Sequence, residues 1–394
     1  MRAYIVQSEK RIDPFDEHPR DCLIGNKTLV VLQIKALLNL GLEPVFISNS
    51  SQIDDQDEYI FLGDNLYFTT ELLDEFIARS RGQGNSTTCA LKSGITTFRT
   101  ATTLQEVKSR SNHVEYSLHY VPEARLRGKY SILVIEPDQF CTSVPMPGHI
   151  CDSGEYLIPL TERFIIQIDH WVNLWAANII TILAEGARLR KGSKIRIALL
   201  VMRALSLNKW KILSRWNKIG QNCDIHPTAY IEGSLIDDDV RIGAGSIVKE
   251  SIVGKGVFIG NGVTVEESVI GEKSTVLHGH ILYSVLYPSV FSVAQMVSAS
   301  LIGRDSFVGS GVTLTDFRFD RRNVLVLKDG VKIDSGNIFL GSCLGHGVYL
   351  GSGCIVAPGR TIPRGTRITP EKNRIISECN PDQNIVGFRL IKNK

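Results

Sequence analysis

The first residue whose setting could do chemistry is Asp64. It directly follows Glu58 to Gly63, a stretch apolar from Tyr59 on that reads as a buried strand, and Asn65 comes next. In mostly parallel sheets, ligands collect beyond the carboxyl ends of strands, so a carboxylate there is placed to hold a cation. A second group lies in the one break of an otherwise regular repeat, residues 315–337, which carries Asp316, Arg318, Lys328 and Lys332. An excursion from a regular solenoid gives up packing, and such loops make binding edges or oligomer contacts. His113, His119 and His149 lack metal-ligand spacing. The eight cysteines are scattered without a CxxC pair, as expected of free thiols in a reducing compartment.

The elements that position these residues follow from periodicity. From Ile219, apolar residues return in triplets: Ile219, Ile225, Ile231; Ile236, Ile242, Val248; Val253, Ile259, Val265; Ile270, Val276, Leu282. The rhythm resumes at Ile338, Leu344, Leu350, Val356, Ile362 and Ile368. Steps of six with small residues at the corners are the spacing of hexapeptide repeats, and predict a parallel β-helix whose aliphatic side chains stack inside. Upstream, the pattern predicts strands at Tyr4–Val6, Pro44–Ser48, Glu58–Gly63 and Ser131–Glu136. It predicts helices at Thr28–Leu40 and from Thr70. That order implies an α/β layer with a mostly parallel sheet.

Composition sets the outer limits. The chain of 394 residues is long enough for two or three domains, and a hydrophobic content of 43% marks it as globular. A net charge of +3 gives no whole-protein reason to expect nucleic acid. The first apolar run, Ala3 to Val6, is too short for a signal peptide, so the expected location is cytoplasmic. Phe164 to Leu183 is apolar but interrupted by Gln167, Asp169, His170, Asn173 and Asn178. This argues against a membrane span and for a packed helix with Trp171 and Trp175 on its surface. Gly186 to Lys218 holds ten basic residues and no acidic one, interleaved with apolar residues. It reads as a connector capping the β-helix, or as a peripheral contact for an anionic membrane. The expected domains are 1–155, the connector 156–218, the β-helix 219–370 with its insert at 315–337, and a tail 371–394 in which Val386–Ile391 forms a final strand.

Two resemblances add to this reading. The stretches Lys27 to Ile47 and Phe61 to Phe68 resemble the first helix, second strand and aspartate-ending strand of sugar-1-phosphate nucleotidyltransferases. The resemblance implies that Asp64 binds Mg²⁺ and nucleotide phosphates, with Asn65 and Lys27 beside the substrate and Asp152 as a second metal carboxylate. In place of that family's glycine-rich phosphate loop stands Gln7 to Pro14, with no glycine and with Glu9 and Asp13 in it; Lys10 and Arg11 are its supportive residues. The insert, through Val308–Asp320, Leu327–Gly336 and Leu340–Gly345, resembles the acetyltransferase half of bifunctional glucosamine-1-phosphate acetyltransferase/N-acetylglucosamine-1-phosphate uridylyltransferases, especially the archaeal type. That implies a left-handed β-helix, a homotrimer and an acetyl-CoA or other acyl-CoA donor. The family histidine falls here at Val293 and the family asparagine at Asp316. His278, His280 and His346 are the substitutes as catalytic base, and Arg318, Lys328 and Lys332 the candidates for holding phosphate.

The expectation is therefore a nucleotidyltransferase-like α/β domain, a helical connector and a left-handed parallel β-helix. Its function would be that of a transferase of sugar-nucleotide metabolism serving cell-envelope biosynthesis, binding a nucleotide or sugar phosphate. The alternative is a degenerate trimeric scaffold that binds a nucleotide sugar.

Overall fold

The computed structural model describes residues 1–54, 56–123, 130–137, 140–190, 198, 201–202, 205–206, 208, 211–212 and 216–370. Most of the basic connector, and the strand expected at 386–391, lie outside the described residues. Among the described residues no helix is long and apolar enough to cross a membrane.

The N-terminal layer is a twisted sheet. Its strands run in the order Ser131–Ile135, Thr87–Lys92, His113–Val121, Tyr59–Gly63, Arg2–Val6 and Glu43–Ile47, with Lys108–Ser109 added beside His113–Val121. Arg2–Val6 lies parallel to both neighbours, but His113–Val121 runs antiparallel to both of its own. The sheet is thus mixed rather than mostly parallel. Helices Leu29–Asn39 and Thr70–Gln83 bury Leu37, Leu72, Leu73 and Phe76 in a core shared with Ile5, Ile60 and Leu62. The spacing that predicted them is the i, i+3, i+4 pattern of a one-sided helix.

Residues 164–183 are not one helix. Ile165–Gln167 is a strand, antiparallel to Leu66–Phe68, and the helix starts at Trp171 and runs to Arg190. Trp171 and Trp175 are buried, not at the surface. The helix lies between the sheet domain and the β-helix, and one apolar core spans all three: Phe15 and Ile24, then Trp171, Ile180 and Leu183, then Val269, Val285 and Leu301. An all-round apolar helix packs in this way, as a filler between two layers. Polar bonds anchor this junction: from the helix, Trp175 Nε1 donates to the Tyr283 carbonyl at 2.7 Å, and from the N-terminal domain, Leu23 N donates to the Tyr287 hydroxyl at 2.9 Å.

The C-terminal half is a left-handed parallel β-helix of three sheets, with eight, eight and seven strands. Val248, Val265, Ile281, Val297 and Leu314 stack inside one sheet, each paired with the next. Two positions differ from the sequence rhythm. In the fourth coil Ile281, not Leu282, points inward, because the turn before it is one residue shorter. Gly279 makes that turn at φ +89°, where an added Cβ would strike the Ala294 carbonyl, so only glycine fits. Ile338 belongs to the neck of the insert; the coil Ile302, Val308, Leu314 continues directly to Leu344. One corner carries a column of buried serines. The amides of Ser251, Ser268, Ser284, Ser300 and Ser342 each donate to the hydroxyl of the serine one coil earlier, at 3.0–3.2 Å. These hydroxyls donate in turn to carbonyls, so no buried polar group is left open there.

The insert leaves the β-helix as a hairpin, Leu325–Lys328 against Val331–Asp334, and closes at a bridge between Phe317 and Phe339. It turns back onto the N-terminal domain. Thr103 Oγ1 donates to the Asp334 carbonyl at 2.6 Å, and Lys328 Nζ donates to the Leu104 carbonyl at 2.9 Å.

Candidate functional site

Asp64 follows the strand Tyr59–Gly63, and its amide bonds the Val6 carbonyl at 3.0 Å, which fixes it at the carboxyl ends of two adjacent parallel strands. Its side chain is 1% exposed. Oδ2 accepts from the Ser8 amide at 2.9 Å and from Arg20 Nη1 at 3.0 Å, and Oδ1 accepts from the Ser8 hydroxyl at 3.0 Å. A polar group buried this deep is costly without such partners.

A second buried carboxylate, Asp169, reaches Asn65, the residue next to Asp64, from 104 positions along the chain. Leu66–Phe68 pairs with Ile165–Gln167, so the residues just before the first strand meet those just after the second. Asn65 Nδ2 donates to Asp169 Oδ1 at 2.9 Å. Lys10 Nζ donates to the same oxygen at 2.9 Å, while Oδ2 accepts from the Glu106 amide and from Gln167 Nε2, both at 2.7 Å. Burial alone would lower the Lys10 pKa, but hydrogen bonds from its ammonium to Glu106 and Asp169 outweigh that and raise it, so the cation is held. Lys328, from the insert, lies 3.8 Å from Glu106 and completes a chain of charge: Lys328, Glu106, Lys10, Asp169. The second carboxylate beside Asn65 is therefore Asp169. Asp152 is elsewhere: its side chain is 94% exposed and sits 3.4 Å from Arg321.

The remaining sequence candidates scatter. Lys27 is exposed in a short antiparallel pair, Leu23–Ile24 with Lys27–Thr28, whose turn residue Asn26 reaches the Ile270 carbonyl of the β-helix. His346 lies at the junction of the domains, its ring centroid 5.0 Å from Phe15 and its Nδ1 accepting the Arg304 amide. Its Nε2 is 3.2 Å from Glu17. Asp316 accepts from the Ser298 hydroxyl at 2.6 Å and lines an apolar cavity of about 310 Å³. His280 is exposed and faces outward, like Leu282 of the same strand; its register partner is Met296, and both Leu282 and Met296 line that cavity. Arg318 is paired to Asp320, and Lys332 projects from the hairpin, exposed. Val293 is half-buried in the turn after Phe291–Ser292.

Residues 212–289 match the family described as the GMPPB C-terminal domain. The match takes in the first half of the β-helix, and it relates the chain to sugar-1-phosphate nucleotidyltransferases. No curated protein matches the chain.

Sequence reasoning missed Asp169, Arg20 and Ser8. For Asp169 a signal existed. Ile165-Ile166-Gln167-Ile168 is a mostly apolar stretch followed directly by Asp169, much like the stretch that drew attention to Asp64. Its flanking apolar residues at helical spacing absorbed it into the following helix. Nothing local marks Arg20; its role depends on the loop 7–21 folding back over the strand ends.

Proposed function

We propose that the chain binds a nucleoside triphosphate and a sugar 1-phosphate at the Asp64–Asp169 site and joins them with release of pyrophosphate. The observation that carries this reading is the pair of buried carboxylates at the strand ends: Asp64 held by Arg20 and Ser8, and Asp169 held by Lys10 and by Asn65, the residue next to Asp64. In the reaction, a sugar-phosphate oxygen attacks the α-phosphorus, the bond to the bridging oxygen breaks, and pyrophosphate leaves with those electrons. Lys10 and Arg20 exchange their carboxylate partners for phosphate oxygens as substrate enters, placing positive charge where it accumulates. Asp64 and Asp169 are the residues that would hold Mg²⁺ once Lys10 and Arg20 turn to phosphate, and the ion would offset phosphate charge there. The test is pyrophosphate release across a panel of nucleoside triphosphates and sugar 1-phosphates with Mg²⁺. Asp64→Ala is expected to abolish it, and a fully active variant refutes the assignment.

A second reading has one observation behind it. Ser8 donates both its amide and its hydroxyl to Asp64, so the loop Gln7–Pro14 spends a donor on protein that a phosphate-wrapping loop would turn to ligand. On this reading the site binds a nucleotide sugar without turnover and the chain is a scaffold. A melting-temperature rise with a nucleotide sugar, in a protein that releases no pyrophosphate, distinguishes it.

Two further parts of the proposal concern the β-helix. Phe291, Phe307 and Tyr349 stack in a column on one outer face, at centroid distances of 5.8 and 6.0 Å, with Phe291 40% and Tyr349 43% exposed. That face supports a homotrimer, which would sediment at about three times the 43.7 kDa of the chain. An acyl-CoA donor is supported by His280, which shares an outward strand face with Leu282 of the cavity lining; acetyl transfer from acetyl-CoA to a sugar-phosphate amine, with release of the CoA thiol, should then disappear in His280→Ala.

A further inference from the structure

The cavity of about 310 Å³ lies between the helix Trp171–Arg190, the hairpin Phe140–Pro145/Glu155–Leu160 and the outer face of the β-helix. Its walls are aliphatic and aromatic, including Ile179, Leu183, Leu282, Met296 and Phe339. Val144 lines it and is 36% exposed, which puts a mouth on the hairpin side. An apolar space of half this size is enough to hold benzene, so this one has room for a chain of about a dozen carbons.

Among the described lining residues, Arg99 is the cation, with its guanidinium over the Tyr156 ring at 4.0 Å. Its Nε is buried and has no hydrogen-bond partner among the described residues. A buried guanidinium nitrogen without an acceptor is costly, and a ligand anion would satisfy it. Asp316, the carboxylate among the described lining residues, already accepts from the Ser298 hydroxyl.

We infer that this cavity binds a medium-chain acyl carboxylate, with the chain against Ile179, Leu183 and Met296 and the carboxylate on Arg99. The site is formed within one chain and is separate from the Asp64–Asp169 site. Its test contains neither nucleotide nor CoA, so its failure and the failure of the proposed transferase reactions are distinguishable.

The probe is decanoate, titrated below its micellar concentration into the full chain by calorimetry, with decanol as the neutral control. Trp175 lines the cavity, so a decanoate brominated on its chain should quench its fluorescence, and Trp175→Phe should remove that quenching. Decanoate is expected to bind at one site per chain. Arg99→Met should weaken decanoate at least tenfold and leave decanol within about twofold, because it removes the charge and keeps the wall. Ala176→Phe, which fills the cavity, should remove both. Should that variant fail to fold, Arg99→Met and the brominated probe decide alone. Absence of decanoate binding overturns the inference. So does decanoate binding that Arg99→Met leaves unchanged, or quenching that persists in Trp175→Phe.

Discussion

Asp169→Ala tests whether the buried charge network holds the candidate site together. The Asp169 carboxylate is fully buried and accepts four hydrogen bonds, from Lys10, Asn65, Gln167 and the Glu106 amide. The substitution leaves Lys10 with the exposed Glu106 as its remaining carboxylate, and strands three neutral donors. Removing one member of a buried ion pair costs about 3–5 kcal/mol. Each stranded buried donor adds about 1–3 kcal/mol, less what water entering the vacated space recovers. Lys10 is 27% exposed and can rehydrate, so the expected loss is about 3–5 kcal/mol rather than the full sum. The exposed pair Arg2–Asp54 is the control, and Arg2→Ala should leave the unfolding transition nearly unmoved. Urea titration followed by Trp fluorescence reads the first unfolding transition, and Trp171, two residues after Asp169, reports on this region. A loss below about 1 kcal/mol for Asp169→Ala would refute the claim that Asp169 organises Lys10, Asn65 and the strand ends.

Three other outcomes follow from the packing. Burial first, and the neighbouring Glu250 second, push the Glu267 carboxyl up to about 7 from an ordinary 4.5. The native state then binds the proton more tightly than the unfolded one. The stabilisation is complete below about 4.5 and lost as pH rises through about 7, a swing of about 3 kcal/mol. Glu267→Gln should flatten that slope and raise stability at pH 8, as melting curves across pH 4–8 would show. Ser268→Ala breaks the serine column and leaves the buried Ser284 amide without its acceptor, for an expected loss of about 1–3 kcal/mol in denaturant titration. Gly341→Ala would drive a Cβ into the Ser298 carbonyl and the Ser300 hydroxyl, so it should destabilise the neck of the insert and lower the melting temperature; an unchanged melting temperature counts against the described turn.

The β-helix was legible because its rhythm is one-dimensional. Each inward aliphatic residue meets its own copies, so spacing alone places it. The reading slipped only where the spacing changes, at Leu282 and Ile338, since a coil shortened by one residue and a hairpin inserted between coils both shift the phase without changing residue type. The sheet domain was legible as elements but less so as topology. The antiparallel placement of His113–Val121 depends on which edge is open, and no local pattern encodes that. Asp64 could be picked out because a strand end is a local feature. Asp169 and Arg20 could not be joined to it in the same way, because their meeting is made by strand pairing over a hundred residues and by a loop folding back.

The insert shows how the two halves are coupled. The sequence places Lys328 in an excursion of the β-helix, and that excursion reads most simply as an edge of its own site. In the folded chain the hairpin crosses to the other domain, where Lys328 Nζ donates to the Leu104 carbonyl and approaches Glu106. His170 Nε2 meets the Leu327 carbonyl at 3.1 Å, and burial pushes the His170 pKa down to about 4, so a neutral imidazole donates there. Glu106 bonds Lys10, which bonds Asp169. A ligand that draws Lys10 away from these carboxylates therefore changes the electrostatic partner of Lys328, and with it the seat of the hairpin. The same hairpin continues through Asn337 and Phe339 into the wall of the apolar cavity. Occupation of one site should thus alter affinity at the other, in equal measure in both directions. Titrating decanoate with and without a bound nucleotide sugar would measure that coupling. Equal affinities would mean that the hairpin is a rigid strut, and that the two halves share a core without sharing a state.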